Sequence, residues 1–460
     1  MAALMLCLTV TVNAGGLMTN TNYHIAFDRM MARGASFDID AAYSNPAGMA
    51  WGYEGFQISL DFQKPWQHRD IEANVPQFLG TGHNYKYEGV ASAPIVPALF
   101  ASYKKDRFNA SAMIGIVGSG GFVKYDDGVP MFNVPLMAML AQKGVMPNMY
   151  NLDSEMKGKQ YIYGAQLNLG YRITDFLSAA VGVRANYYDG YYKGHVVADM
   201  QGMKLVNLQL DCAQKGWGFA PIVSLNYHQG PLTITARYEF RTKISTENDT
   251  KELVVGMSGQ DTDVKALAEQ VGNEATIAAL TPTLGTMTGK LAGYLPDAET
   301  RYDMPAMFAA AVGYEITPKL RATLEYHYFD DTNAKMANNR QDELEGGTHE
   351  LQLGAEYDVN DKLTLSLGGQ RTDYGLSDNY QLNTSFACDS YSVGLGAAIN
   401  LTKKMRLNVG YFITLYSDYT KETPAGDPAK GQGFYGTGYA GSEIYSRTNN
   451  VIGVGIDYKF

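Results

Sequence analysis

Four arginines, Arg184, Arg237, Arg321 and Arg406, fall mid-segment on the polar parity of runs that alternate apolar and polar residues. A guanidinium holds a carboxylate through two parallel hydrogen bonds. Arg184, Arg237 and Arg321 are therefore candidates for binding the anionic head of a small molecule. Glu239, Glu325, Glu350 and Glu356 stand on the same parity and are, with the segment that precedes the first strand, the competing partners, in which case the arginines are structural. His327 shares that face, and an ordinary hydrogen-bonded histidine is its plainer reading. Nucleophilic chemistry finds no motif: there is no Gly-x-Ser-x-Gly, and His195, His228, His327 and His349 lack a recognisable serine partner. Neither His-Glu-x-x-His nor Cys-x-x-Cys occurs. No enzyme activity, metal or cofactor is expected.

The segments that position these arginines have period two. Phe56, Ile58, Leu60 and Phe62 alternate with Gln57, Ser59, Asp61 and Gln63. Leu232, Ile234, Ala236, Tyr238 and Phe240 alternate with Thr233, Thr235, Arg237 and Glu239. Similar runs surround Tyr163, Leu324, Val409 and Ile456. Period two over about ten residues is a strand with one apolar face. Several runs begin or end in Tyr or Phe on the apolar parity, as an aromatic girdle at two membrane interfaces requires.

About fourteen such strands are expected, near 55–66, 95–104, 107–118, 159–173, 176–193, 214–229, 231–245, 299–316, 319–330, 346–358, 362–373, 386–400, 404–419 and 444–460. Short polar turns alternate with long loops without exception. An even-stranded antiparallel transmembrane β-barrel has that pattern, with short turns in the periplasm, long loops outside and both termini periplasmic. Composition agrees: 33 Tyr, 49 Gly and only 18% charged residues, at a mean hydropathy of -0.21. A net charge of -10 argues against nucleic acid as a partner.

Residues 1–14 read as the apolar part and cleavage site of a signal peptide, whose missing basic region suggests a start further upstream. Cys7 lies in this segment. Cys212 and Cys388 either pair outside the cell or stay as two free thiols. Residues 15–54 show no strand alternation; Ala, Met and charged residues broken by Gly34 and Asn45-Pro46 predict short helical pieces. Such a segment either hangs in the periplasm or sits inside the barrel formed by residues 55–460; a fourteen-strand lumen is wider than side chains fill, which favours a plug.

Arg33-Gly34-Ala35, Asp38-x-Asp40-Ala41-Ala42 and Asn45-Pro46-Ala47-Gly48-Met49 resemble the N-terminal hatch of the FadL/TodX family of outer-membrane channels for long-chain fatty acids and hydrophobic compounds. Gly216–Tyr227, Leu295-Pro296 and Met304-Pro305-Ala306 add to the likeness. The resemblance implies an all-β, monomeric fourteen-strand barrel plugged by a mostly helical hatch. Arg33, Gly34, Asn45, Pro46 and Ala47 would gate it. It also implies capture of fatty acids or hydrocarbons in an apolar groove between long loops, transfer to a lumen pocket, and sideways release through a gap in the wall. Phe460 resembles the terminal aromatic by which the barrel assembly machinery recognises such proteins. The surroundings would be outer-membrane lipid and lipopolysaccharide.

Loop 119–158 fits the capture step. Phe122, Met131, Phe132, Leu136 and Met139 make it too apolar for a solvated loop, and Met suits ligands of varied shape. The alternative is a self-packed small core. A helix-like stretch from Val264 to Ala279, with Leu267, Val271 and Ile277 apolar, would pack beside it. Gly115 and Gly118 in the third strand could mark a kink. The rival functions are a general diffusion porin and a surface adhesin.

Overall fold

In the computed structural model, residues 18–19, 23–79, 84–93, 95–284 and 291–460 are described; the expected signal peptide and Cys7 lie outside them. Fourteen strands form the wall: β1 (Gly55–Asn74), β2 (Val96–Lys105), β3 (Phe108–Tyr125), β4 (Asn151–Arg172), β5 (Leu177–Met200), β6 (Met203–Gln229), β7 (Leu232–Glu239), β8 (Met307–Thr317), β9 (Leu320–Phe329), β10 (Thr348–Asn360), β11 (Leu363–Asp373), β12 (Ser390–Asn400), β13 (Met405–Tyr416) and β14 (Gly441–Lys459). Each pairs antiparallel with its neighbours, and β14 returns to β1 from Gln57↔Lys459 to Asn74↔Ser442, closing the ring.

The faces are inverted relative to a soluble protein. In β1, Leu60 is 46% exposed while Asp61 beside it is fully buried. The apolar parity faces outward and the polar parity lines the lumen, the arrangement of a barrel in lipid. Closure removes the edge that an open sheet would leave unpaired in hydrocarbon.

Short turns gather at one end of the barrel and long connections at the other, with one exception to the expected alternation: β5 and β6 are joined at the long-loop end by the two residues Gln201-Gly202, where the sequence predicted a loop over 194–213. Strands β4 to β6 run 22, 24 and 27 residues, about twice what a bilayer needs, so their upper halves stand beyond the band. Other boundaries also differ from the sequence expectation. Strand β7 stops at Glu239, and Ser245–Met257 forms a separate strand on upper β6, from Ser245↔Trp217 to Met257↔Val206. Strand β8 starts only at Met307, with Glu299–Arg301 apart from it. Pro305 between them has no N–H to give a ladder.

Two helices replace the single stretch expected at 264–279: Val264–Val271 and Asn273–Leu284. Gly272, at φ 86°, breaks them and turns the buried face to Val264 and Ala268, leaving Val271 exposed. Cys212 and Cys388 are buried free thiols, bonded to Thr250 and to the Tyr445 carbonyl.

Inside the ring lies the N-terminal segment. Its first helix, Ile25–Met30, is buried throughout and capped by the His24 ring, which accepts from the Ala26 N–H. The wall makes room for it with small residues. A Cβ on Gly368 would lie 1.7 Å from the Met30 carbonyl oxygen, and one on Gly394 2.5 Å from that of Asp28. Replacing Gly368 by Val should therefore push the helix off the wall while β11 keeps its pairing. The expected result is a folded barrel with raised small-sugar permeation in a liposome swelling assay.

Candidate functional site

The plug is fixed to the wall by charge. Glu356 of β10 sits among three guanidinium groups: it bonds Arg29, lies 3.4 Å from Arg33 and 2.9 Å from Arg321. Arg33 also holds Asp40 through two bonds of 2.7 and 2.9 Å. The backbone N–H groups of Arg33 and Gly34 both donate to Glu325, each at 2.7 Å. Gly34 is required there, because a Cβ would meet Ala311 and Glu325 below 3 Å. Asn45 donates to Asn226 at 2.9 Å and accepts from its own Gly48 N–H. The Ala47 carbonyl accepts from Ser178 at 2.6 Å, and Pro46 is buried beside it. On the far wall His24 lies 3.1 Å from Asp457 and 3.7 Å from Asp61.

The candidate arginines belong to this clamp. Arg184 and Arg237 share Glu239, and Arg237 donates to the Tyr43 carbonyl with its guanidinium 4.7 Å from the Tyr43 ring centre. Arg321 holds Glu356 and Asp358. Arg406 reaches Asp38 at 3.6 Å. The parity carboxylates Glu239 and Glu356 thus occupy Arg184, Arg237 and Arg321, and Arg406 meets Asp38 of the plug instead. His327 bridges Glu325 and Glu350 at 2.7 and 3.1 Å.

The wall has a gap. Strand β2 pairs with β3 only from Leu99↔Ile114 to Lys105↔Phe108. Above it a short strand, Gly89–Ser92, meets β3 again at Val123 to Tyr125. Between them, residues 115–122 of β3 have no ladder partner on the β2 side among the described residues. On the β4 side the register slips twice, leaving Val117 and Gly120 without a partner. These are two bulges, which bend a strand and re-aim its residues. Gly121, at φ 74°, has open space where a side chain would stand.

Behind this gap lies a cavity of about 140 Å³. Ile116, Gly118 and Ser119 line it from the bent strand, Ala93 and Val96 from the other rim, and Thr19 and Tyr23 from the plug segment. Thr19 is 2.9 Å from the Tyr374 hydroxyl, tying the plug to the cavity wall. Arg69 of β1 and Arg447 of β14 line it too. Neither carried a signal in the sequence, because alternation weakens toward the upper ends of both strands.

At the long-loop end, helix Pro130–Gln142 buries Met131, Phe132, Leu136 and Met139 in one apolar cluster with Val264, Leu253, Tyr294 and Phe434. In this state the loop is a packed core, the second of the two sequence readings. Phe122 is not part of it; it stands half-buried on the opposite parity of β3 to Val123 and Tyr125. Phe132 also edges a small apolar depression with Met156, Val196 and Leu208.

These features match solved structures over nearly the whole chain. A Pseudomonas aeruginosa FadL homologue superposes with a TM-score of 0.62 at 15% identity, covering 98% of both chains. The fold is that of the FadL-type channels. The Pseudomonas putida toluene transporter TodX gives 0.60 at 14% identity, over 96% of this chain and 100% of TodX. The Ralstonia pickettii toluene transporter TbuX gives 0.52 at 11%, over 98% and 99%. The outer membrane protein beta-barrel domain family matches residues 264–460 of this FadL-type barrel. No curated protein matches it.

Proposed function

We propose that this FadL-type barrel is an outer-membrane channel for uptake of hydrophobic compounds, with long-chain fatty acids the first class to test. The observation that carries the proposal is the cavity placed directly behind an unpaired stretch of wall, above the part of the lumen that the plug's charged clamp fills. A ligand held there faces lipid sideways and does not have to cross the charged clamp below. The toluene channels among its structural neighbours support the same broad class.

In this reading the long loops face outward and both termini the periplasm. Ligand enters through the apolar cluster around Met131, Phe132, Leu136 and Met139, whose methionines repack readily. It passes to the cavity, and a shift of the segment around Thr19 and Tyr23 frees it to leave between β2 and β3. The barrel works as a monomer, and Phe460, exposed beside Phe56 and Tyr458, serves assembly.

The test is uptake of labelled oleate and toluene by cells lacking their own transporter, with and without this protein, beside small-sugar swelling. Uptake of either without sugar permeation is the expected result. Sugar permeation without uptake would make the protein a porin, and neither would favour an adhesin.

A further inference from the structure

Arg69 and Arg447 are direct cross-strand partners at the β1–β14 seam, so their side chains leave the same face side by side. Like charges directly opposite are destabilising, and here the pair is turned inward. Arg69 is only 7% exposed. The six arginines of the lumen clamp, Arg29, Arg33, Arg184, Arg237, Arg321 and Arg406, each meet a carboxylate, but these two have no ion-pair partner among the described residues. Arg69 makes one long bond of 3.3 Å to Gln67, and the Nε of each arginine is without a partner. Arg447 lies over the Tyr416 ring at 4.7 Å, which holds its plane but leaves its charge unanswered. Both line the cavity behind the gap.

We propose that Arg69 and Arg447 form an anion seat in this cavity, which selects amphiphiles with a carboxylate head on an apolar tail over neutral hydrocarbons. The proposal rests on the uptake reading above and names its ligand class. A carboxylate between the two guanidinium groups supplies the missing counter-charge and takes charge-assisted hydrogen bonds. Ala91, Ala93, Val96 and Ile116 offer the start of an apolar path toward the gap for the tail. The clamp arginines Arg184, Arg237 and Arg321 do not compete, since their carboxylates are already in place.

The test compares oleate with the neutral oleyl alcohol, bound by the full-length protein in phosphatidylcholine nanodiscs. Arg69→Gln and Arg447→Gln should each weaken oleate binding about tenfold or more and leave oleyl alcohol nearly unchanged. Arg447→Glu gives Arg69 an internal partner; it should fold, shown by the heat-sensitive gel mobility of the barrel, and lose its preference for oleate. Equal losses for both ligands, or unchanged oleate binding in the Gln variants, would overturn the seat. Wild-type protein that takes up toluene or oleyl alcohol but not oleate would also overturn it and leave the uptake reading standing. Uptake of none of the three would remove both.

Discussion

Deleting Val117 and Gly120 together should abolish uptake of hydrophobic compounds and leave a folded barrel. These are the two residues by which β3 exceeds β4. They bend the strand away from β2 over residues 115–122 and leave the wall open. Without them β3 can run straight and its N–H and C=O groups can meet those of β2. Both must go, because a single deletion would turn Val123 and Tyr125 to the lipid face. These residues anchor the apolar cluster at the long-loop end. A loss of roughly tenfold or more in oleate or toluene uptake is expected, since the exit is removed rather than narrowed. Unchanged uptake at equal surface abundance would move the exit elsewhere, to the lumen or another seam.

Glu356→Gln should unlock the plug. The carboxylate is 3% exposed and serves three arginines. Arg33 keeps Asp40 and Arg321 keeps Asp358, but Arg29 has no second carboxylate among the described residues. Breaking one side of a buried pair costs about 3–5 kcal/mol, because a charge is left buried and uncompensated. That cost falls on the seating of the plug rather than on the ladders of the ring. The variant should show small-sugar permeation and frequent conductance steps in planar bilayers, with gel mobility of a folded barrel. The double variant Arg29→Met, Glu356→Gln removes the stranded charge and should close the lumen again. If Glu356→Gln stays impermeable, the glycine-lined groove and the Glu325 contacts hold the plug without it.

The wall was legible in the sequence because its two faces answer to different solvents. Lipid demands apolar residues on every second position, and the alternation marks those positions within a few residues of the strands that form. It fails where the solvent changes. The upper halves of β4 to β6 rise out of the band, so their residues no longer obey one rule, and Ser245–Met257 was hidden in an apparent loop. The same loss of contrast hid Arg69 and Arg447.

The plug residues were legible for another reason. Arg33, Gly34, Asn45 and Ala47 act through local turns and close approaches that only certain residue types permit, so their spacing is a signal. Their partners are not local. Glu325, Glu356, Asn226 and Ser178 come from strands more than a hundred residues away, and only closure of the ring brings them to the plug.

The sequence by itself therefore determined a lipid-facing barrel of fourteen strands, the plug segment and the inward parity of its charged residues. It left open whether the parity arginines held ligand or protein, and which strand bends. Tertiary structure decided both. A charge can find its partner across the lumen only after the register of all fourteen strands is set. A bulge exists only as a mismatch in length between two paired strands, so neither strand carries it alone.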